Sequence, residues 1–106
     1  LCSQAMAVYI VAQISMKAEA EGGRHREIQA GYAPHLVVPP DSTFLGVQIC
    51  EIEEPDRTIH PGTTAKVLFQ LMYHPRVDYS ALVEGAEFNI HEGSHVVGTG
   101  RVLDRD

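Results

Sequence analysis

The sequence predicts an all-β protein that folds as a small antiparallel barrel. Short apolar runs alternate along the chain with clusters of Gly, Pro and Asp, which is typical of antiparallel strands joined by turns. Within most runs the apolar side chains recur at every second position, the period of a strand with one buried face. With 106 residues, 44% of them hydrophobic and 21% charged, the chain has the size and composition of one soluble domain. Six strands of this length can close into a barrel.

The first two strands are predicted over residues 7–14 and 32–38. The first run is rich in β-branched and aromatic side chains and places Val8, Ile10 and Ala12 on one face. In the second run Pro34 can lie only near an end or on an edge, and Pro-Pro-Asp stops the strand.

The connection between these two strands is predicted as a charged loop over residues 17–23 that ends in glycine. Good helix formers over residues 13–21 leave a single helical turn open as an alternative, because a longer helix would need more residues.

Four further strands are predicted in the second half of the chain. Residues 44–53 alternate, with Cys50 packing as a small apolar side chain. After a turn at Pro61-Gly62, a long strand extends to His74-Pro75, with a run of apolar residues in register at Ala65, Val67, Phe69, Leu71 and Tyr73. Residues 87–91 and 95–102 form a hairpin around Glu-Gly-Ser, and two glycines in its second strand allow close backbone approach.

The ends of the chain and its cysteines indicate cellular context. Residues 1–6 are expected to be an extension or a cloning remnant, which leaves residues 7–106 as the barrel. Cys2 and Cys50 belong to no spaced framework, which favours a reduced, cytoplasmic protein. The longest apolar run is about half of a membrane span, so no membrane partner is expected.

The charge distribution limits the kind of partner. A formal charge of −6 differs from the basic balance of most autonomous nucleic-acid binders, so any contact with RNA must be local. The acidic run at Glu51, Glu53, Glu54 and Asp56 is interpreted as a solvated strand end, with a surface for a basic partner as the alternative.

Catalytic and metal sites are not expected. Ser42 and Ser80 lack a nucleophile elbow, Cys50 lacks a placed base, and the phosphate-binding sequence GxxxxGK[ST] is absent. The chain is therefore predicted to be noncatalytic, without a cofactor or a small-molecule substrate. Among six histidines, His91 and His95 could meet across the hairpin, but no quartet with the spacing of a structural zinc site is visible.

A series of short motifs in order along the chain is similar to a known family. They are Glu-Gly-Gly-Arg-His at 21–25, Gly-Tyr-Ala-Pro at 31–34, Pro61-Gly62, His74-Pro75 and Phe-Asn-Ile-His-Glu-Gly-Ser-His-Val-Val-Gly-Thr-Gly at 88–100. Over about residues 7–103 the chain resembles the third, C-terminal domain of elongation factor Tu. The resemblance implies a six-stranded antiparallel β-barrel of Greek-key type. It also implies partners: the acceptor and T stem of aminoacyl-tRNA, a second barrel domain, a GTPase domain and a nucleotide-exchange factor.

The resemblance carries candidate nucleic-acid-binding residues. Arg24 and His25 match a Gly-Gly-Arg-His pair that lies against the tRNA backbone in the family. Glu92 and Gly93 match a turn that faces the T stem. Two more candidates follow: His74 stands where the family has Lys or His before Pro, and His35 stands in place of a Gln.

Departures from the family pattern favour a second hypothesis. Ala33 replaces an Arg, and His91 and His95 replace the two Arg residues that flank the turn. Histidine side chains are largely uncharged at neutral pH, so phosphate attraction is reduced. Residues 39–46 differ from the family segment, and the connection over residues 75–85 is longer. The alternative is a stand-alone structural or protein-interaction barrel that has lost tRNA binding.

Overall fold

The computed structural model describes residues 7–105, so the predicted extension over residues 1–6 lies outside the described residues. All six predicted strands are present in the described part, together with one short 3-10 helix. The strands are β1 Tyr9–Met16, β2 His35–Val37, β3 Leu45–Ile52, β4 Thr64–Leu71, β5 Glu87–Glu92 and β6 His95–Arg105. The 3-10 helix spans Glu19–Glu21. This short helix confirms the alternative of a single helical turn within residues 13–21.

The strands form a closed barrel in the order β1-β4-β3-β2-β5-β6, and every neighbouring pair is antiparallel. Three consecutive strands, β2 to β4, pair in sequence, and β5 returns to lie beside β2, which is the Greek-key arrangement. The predicted fold class is confirmed. Because β1 pairs with β4 and β6 instead of β2, a long connection from β1 to β2 crosses the barrel end where β5 turns into β6.

The core follows the predicted alternation. Along most of the strands every second residue points inward, with interruptions where the register shifts. The interior contains an edge-to-face contact between Phe69 and Phe88, whose ring centroids lie 6.4 Å apart. Both rings are almost completely buried. Burial of aromatic and branched side chains supplies most of the free energy that holds such a barrel closed.

The two glycines of β6 allow its backbone to lie close to β1 and to the core, as predicted. A Cβ atom at Gly100 would lie 2.6 Å from Cζ of Phe88 and 2.8 Å from the carbonyl oxygen of Gln13. A Cβ atom at Gly98 would lie 2.7 Å from the carbonyl oxygen of Ser15. Side chains at these positions would push β6 away from β1 and from the core.

Most predicted strand ends differ from the structure by one to three residues, and two of these differences have a clear cause. The second strand was predicted over 32–38 but is only His35–Val37; before it, the carbonyl of Pro34 still accepts a bond from the amide of Val47. Proline has no amide to donate, which explains the shorter strand. β4 ends at Leu71, so Tyr73 is not in register with the core; it is 49% exposed.

Tyr73 leaves the strand because of a tertiary contact. Its amide donates to the hydroxyl of buried Tyr79 at 3.1 Å, and that hydroxyl donates to the carbonyl of Gly46 at 2.6 Å. The guanidinium of Arg105 donates to the carbonyl of Tyr79 at 2.6 Å. The long connection between β4 and β5 is thereby fastened to the barrel wall.

The expectation that Cys50 is reduced and packs as an apolar side chain was wrong. Cys50 is disulfide-bonded, and no cysteine among the described residues is free. Its side chain lies half-buried on the outer face of β3, next to the core residue Ile49. Cysteine spacing along a sequence does not report distance in a fold, so the bond could not be inferred from it.

No helix among residues 7–105 is long and apolar enough to cross a membrane.

Candidate nucleic-acid interface

Arg24 and Glu92, two residues selected from separate motifs, meet at one end of the barrel. The long connection from β1 to β2 brings Arg24 to the last residue of β5, 68 positions later in the sequence. The Arg24 Nη1 atom donates to Oε2 of Glu92, and Nε donates to the carbonyl of Arg26 at 3.1 Å. The side chains are 23% and 38% exposed, respectively.

Tyr32 completes this site. Its hydroxyl donates to the same Oε2 atom of Glu92 at 2.5 Å. The guanidinium carbon of Arg24 lies 4.7 Å from the centroid of the Tyr32 ring, within the range of a cation–π contact. We call these three residues the Arg24–Tyr32–Glu92 cluster.

The cluster is electrically balanced at neutral pH. Burial acts to raise the pKa of Glu92, but hydrogen bonds from Tyr32 and Arg24 outweigh it and hold the pKa below its ordinary value. Burial, followed by the hydrogen bond to Glu92, raises the pKa of Tyr32, so its hydroxyl stays protonated. Burial opposes the charge of Arg24, yet its contact with Glu92 raises its pKa overall. One positive and one negative charge thus offset each other.

Glycines allow both parts of the chain to reach the cluster. Gly22 has φ of 89° and Gly93 has φ of 61°, in the left-handed region that L side chains adopt at a cost. Gly23 packs so closely on the preceding turn that a Cβ atom would lie 2.2 Å from the carbonyl oxygen of Lys17. Gly93 and Ser94 form the two-residue turn between β5 and β6, confirming the predicted hairpin.

His95 fastens the loop that carries Arg24. Its Nε2 atom lies 2.6 Å from the carbonyl oxygen of Gly22 and, facing an acceptor, donates to it. His95 therefore does not meet His91 across the hairpin, as the metal hypothesis required. Among residues 7–105 no group of three or more His, Cys, Asp or Glu side chains could hold a metal ion.

His25 lies beside the cluster but outside it. Its side chain is 81% exposed, and its Nδ1 atom lies 3.0 Å from Oε1 of Glu19 in the 3-10 helix. The imidazole is therefore presented to solvent next to Arg24.

His35 lies on the outer wall of the barrel, directly opposite His91 in the pairing of β2 with β5. Phe44 covers both imidazoles, with centroid distances of 5.7 Å to His35 and 4.9 Å to His91. We call these three side chains the Phe44 patch. His91 immediately precedes Glu92 in β5, so the two groups share a strand, although consecutive side chains of a strand point to opposite faces.

His74 is separate from the other candidates. It lies in the turn after β4, where its amide donates to the carbonyl of Leu71 at 3.3 Å. Its side chain is exposed and makes no described hydrogen bond or ion pair with the Arg24–Tyr32–Glu92 cluster. The structure therefore brings Arg24, Glu92 and Gly93 together, with His25 and His35 nearby.

Sequence reasoning missed Tyr32 and Phe44. Tyr32 was noted only as part of a motif and a strand, because nothing in the spacing shows that its hydroxyl reaches Glu92. Phe44 was assigned to an alternating strand, yet it precedes β3 and is 44% exposed.

The acidic run lies away from this interface. Glu51, Glu53 and Glu54 line a groove of about 650 Å³ on the outer face of β3 and β4, together with Arg57 and Lys66. Lys66 forms an ion pair with Glu53 at 3.1 Å, and the three glutamates are exposed. This agrees with a solvated strand end.

The pH dependence of stability should report the bond between Arg24 and Glu92. Because the pKa of Glu92 is lowered in the folded state, its contribution is complete above its ordinary value of 4.5 and is lost as pH falls through the folded value. Glu92→Gln should therefore destabilise the barrel at pH 7 but progressively less towards pH 3, as measured by urea midpoints. Glu87→Gln is the control, because its pair with Arg101 is exposed. Parallel pH profiles for Glu92→Gln and the unmodified protein would contradict this.

The chain matches a known protein family. A family model described as the elongation factor Tu C-terminal domain matches residues 4–104 of the 106-residue chain. The match includes the whole of the Arg24–Tyr32–Glu92 cluster and the Phe44 patch.

Proposed function

We propose a function for this chain on the basis that it belongs to the family of elongation factor Tu C-terminal domains. The family makes it a barrel domain of a translation factor. Our proposal is that residues 7–106 act as a noncatalytic unit that contacts aminoacyl-tRNA and packs against the GTPase and second barrel domains of a cytoplasmic factor.

The meeting of Arg24 with Glu92 is the observation that carries the proposal. The two residues match different motifs of the family, and 68 positions separate them in the sequence. Their contact supports a single surface at one end of the barrel, with the Gly93 turn and exposed His25 at its margins. This surface is our candidate for the contact with the T stem.

The donors of Arg24 suit a phosphate. A guanidinium has five N–H donors, and Glu92 and the Arg26 carbonyl engage two of its nitrogens. The remaining donors can bind a phosphate oxygen while Glu92 and Tyr32 hold the Arg24 guanidinium in one orientation. Because the cluster is balanced in charge, we expect placement of hydrogen bonds, more than net attraction, to determine affinity.

Two candidates lie further along the barrel wall. His35 belongs to the Phe44 patch, one strand away from His91. His74 follows Tyr73, whose ring lies over Gly46, the partner of His35 in β3. We propose both as outer contacts to the RNA, secondary to Arg24.

Titration with aminoacyl-tRNA at low and moderate salt tests the proposal. An Arg24→Ala, His25→Ala variant should bind about tenfold more weakly, with a salt slope smaller by about one, as expected for one lost phosphate contact. Arg101→Ala is the matched control: Arg101 pairs with Glu87 at 3.0 Å across the same two strands, away from the turn. It should bind as the unmodified protein does.

The same titration can overturn the proposal. Equal loss in the Arg24 variant and the Arg101 control would indicate nonspecific charge attraction. Absence of binding by the unmodified protein at low salt would favour the second candidate, a protein-interaction barrel. The balanced charge of the cluster and the formal charge of −6 are the observations in favour of that candidate.

A further inference from the structure

An apolar pair lies on the outer wall of the barrel, away from the strand that carries Glu92. Val11 of β1 and Leu68 of β4 are register partners, and both side chains are half-buried. Two hollows, of about 650 and 210 Å³, share these two residues in their linings. We call the joined hollows the Val11–Leu68 groove. In the ring of six strands β4 lies three places from β5, so the groove and Glu92 are on opposite walls.

Carboxylates flank the apolar pair on both sides. Val11 pairs with Asp104 of β6, and Leu68 pairs with Glu51 of β3. One row across four neighbouring strands therefore consists of an acidic residue, two apolar residues and a second acidic residue. Both carboxylates are exposed, and neither forms an ion pair with another residue in the range 7–105. The apolar floor thus has a negative charge at each edge.

The cations around the groove do not cancel these two charges. Lys66 is paired with Glu53 at 3.1 Å. The guanidinium of Arg105 is bound to two carbonyl oxygens of the connection between β4 and β5. Arg57 and Glu54 also line the groove and contribute one charge of each sign. Asp104 and Glu51 therefore leave the groove with a net negative charge.

We infer that the Val11–Leu68 groove docks an extended segment of a separate protein, in which an apolar side chain stands between two basic ones. Neighbouring strands lie about 4.8 Å apart, so Asp104 and Glu51 are separated by about 14 Å along the wall. An extended chain rises about 3.4 Å per residue, so side chains two positions either side of a central residue are also about 14 Å apart. Lys or Arg at those positions would meet both carboxylates while the central side chain covers Val11 and Leu68.

The composition of the groove determines the class of partner. Its carboxylates repel phosphate groups, which excludes RNA from this wall. Permanent interfaces between domains or subunits are large and strongly apolar, whereas this floor has two apolar side chains within a charged rim. The groove therefore fits a short basic segment that binds reversibly. Docking of such a segment goes beyond the proposed contact with tRNA and does not depend on it, because the two surfaces lie on opposite walls.

A synthetic peptide, Gly-Ser-Arg-Ser-Leu-Ser-Arg-Ser-Gly, is the probe for this groove. Titrated into the ¹⁵N-labelled protein, it should shift the amides of residues 11, 51, 68 and 104 most. Binding should weaken as salt rises, because the ion pairs are exposed to solvent. Gly-Ser-Arg-Arg-Leu-Ser-Ser-Ser-Gly has the same composition but places both charges on one side of the leucine. It should bind about threefold more weakly.

Variants of the protein separate the two parts of the contact. A Glu51→Gln, Asp104→Asn variant should bind the peptide about tenfold more weakly, since two ion pairs are lost. The matched control is Glu84→Gln, Glu87→Gln, which removes two exposed carboxylates at the start of β5. Leu68→Thr keeps a side chain suited to a strand but removes apolar surface. It should weaken binding about threefold without changing the dependence on salt.

The outcomes distinguish this docking site from the proposed tRNA surface. An Arg24→Ala, His25→Ala variant should bind the peptide normally, because those residues lie outside the groove. Equal loss in the Glu51 variant and the Glu84 control would show nonspecific charge attraction and overturn the inference. Shifts at residues 22–25 and 92–95 instead of the groove, or no binding at low salt, would also overturn it. The proposed function would stand in each of these cases, since the peptide experiment contains no RNA.

Discussion

A Phe69→Ala variant is expected to lose about 3–5 kcal/mol of unfolding free energy, which is the usual range for a buried aromatic side chain. Phe69 is completely buried and contacts Phe88 edge to face, with centroids 6.4 Å apart. The loss combines the removed apolar surface with the cavity left between β4 and β5. Small domains have about 5–15 kcal/mol of stability in total, so this variant should be close to unfolding at 37 °C.

Urea denaturation at pH 7 measures this loss. The transition midpoint should fall strongly while the dependence on urea concentration stays unchanged, because the surface exposed on unfolding is nearly the same. Val83→Ala, at a position 55% exposed, should change stability by less than about 0.5 kcal/mol. A loss below 1 kcal/mol for Phe69→Ala would show that the barrel interior is not packed around this ring.

Gly100→Ala is the second large effect, although it adds only one methyl group. The new Cβ atom would lie 2.6 Å from Cζ of Phe88 and 2.8 Å from the carbonyl oxygen of Gln13. The phenyl ring can shift, but the backbone of β1 cannot do so without breaking its pairing with β6. We expect a loss of about 1–3 kcal/mol, the usual cost of overpacking.

Two further variants test the cause of this loss. Thr99→Ala leaves only a Cβ methyl group at the neighbouring exposed position, where it meets no clash, and should have little effect. Phe88→Leu should cost less in the Gly100→Ala background than in the unmodified protein, because the smaller side chain relieves part of the clash. Additive losses in the double variant would place the strain at the Gln13 carbonyl alone.

Local patterns were sufficient to predict the barrel and most of its core. Ile10, Val67 and Ile90 point inward because apolar residues alternate with polar ones along each strand. Strand ends were less predictable. β4 ends before Tyr73 because the hydroxyl of Tyr79 takes the Tyr73 amide, a contact that no local pattern encodes.

The candidate site was predicted in part, for a different reason. Arg24, Glu92 and Gly93 were selected by motif, but their meeting depends on the order of strands around the barrel. The hydrogen bond from Tyr32 to Glu92 depends on the same order of strands, because 60 positions of sequence separate the two residues. Phe44 could not be selected because its exposure depends on where β3 begins. Cys50 shows the same limit, since its bond depends on spatial proximity.

The central claim is that the barrel end carrying the Arg24–Tyr32–Glu92 cluster contacts RNA. Chemical-shift mapping of the ¹⁵N-labelled protein on addition of aminoacyl-tRNA tests it most directly. We expect the amides of residues 22–25 and 92–95 to shift most and those around His35 and Phe44 to shift next. Shifts confined to the groove beside Glu51 and Lys66, or no shifts at low salt, would contradict it.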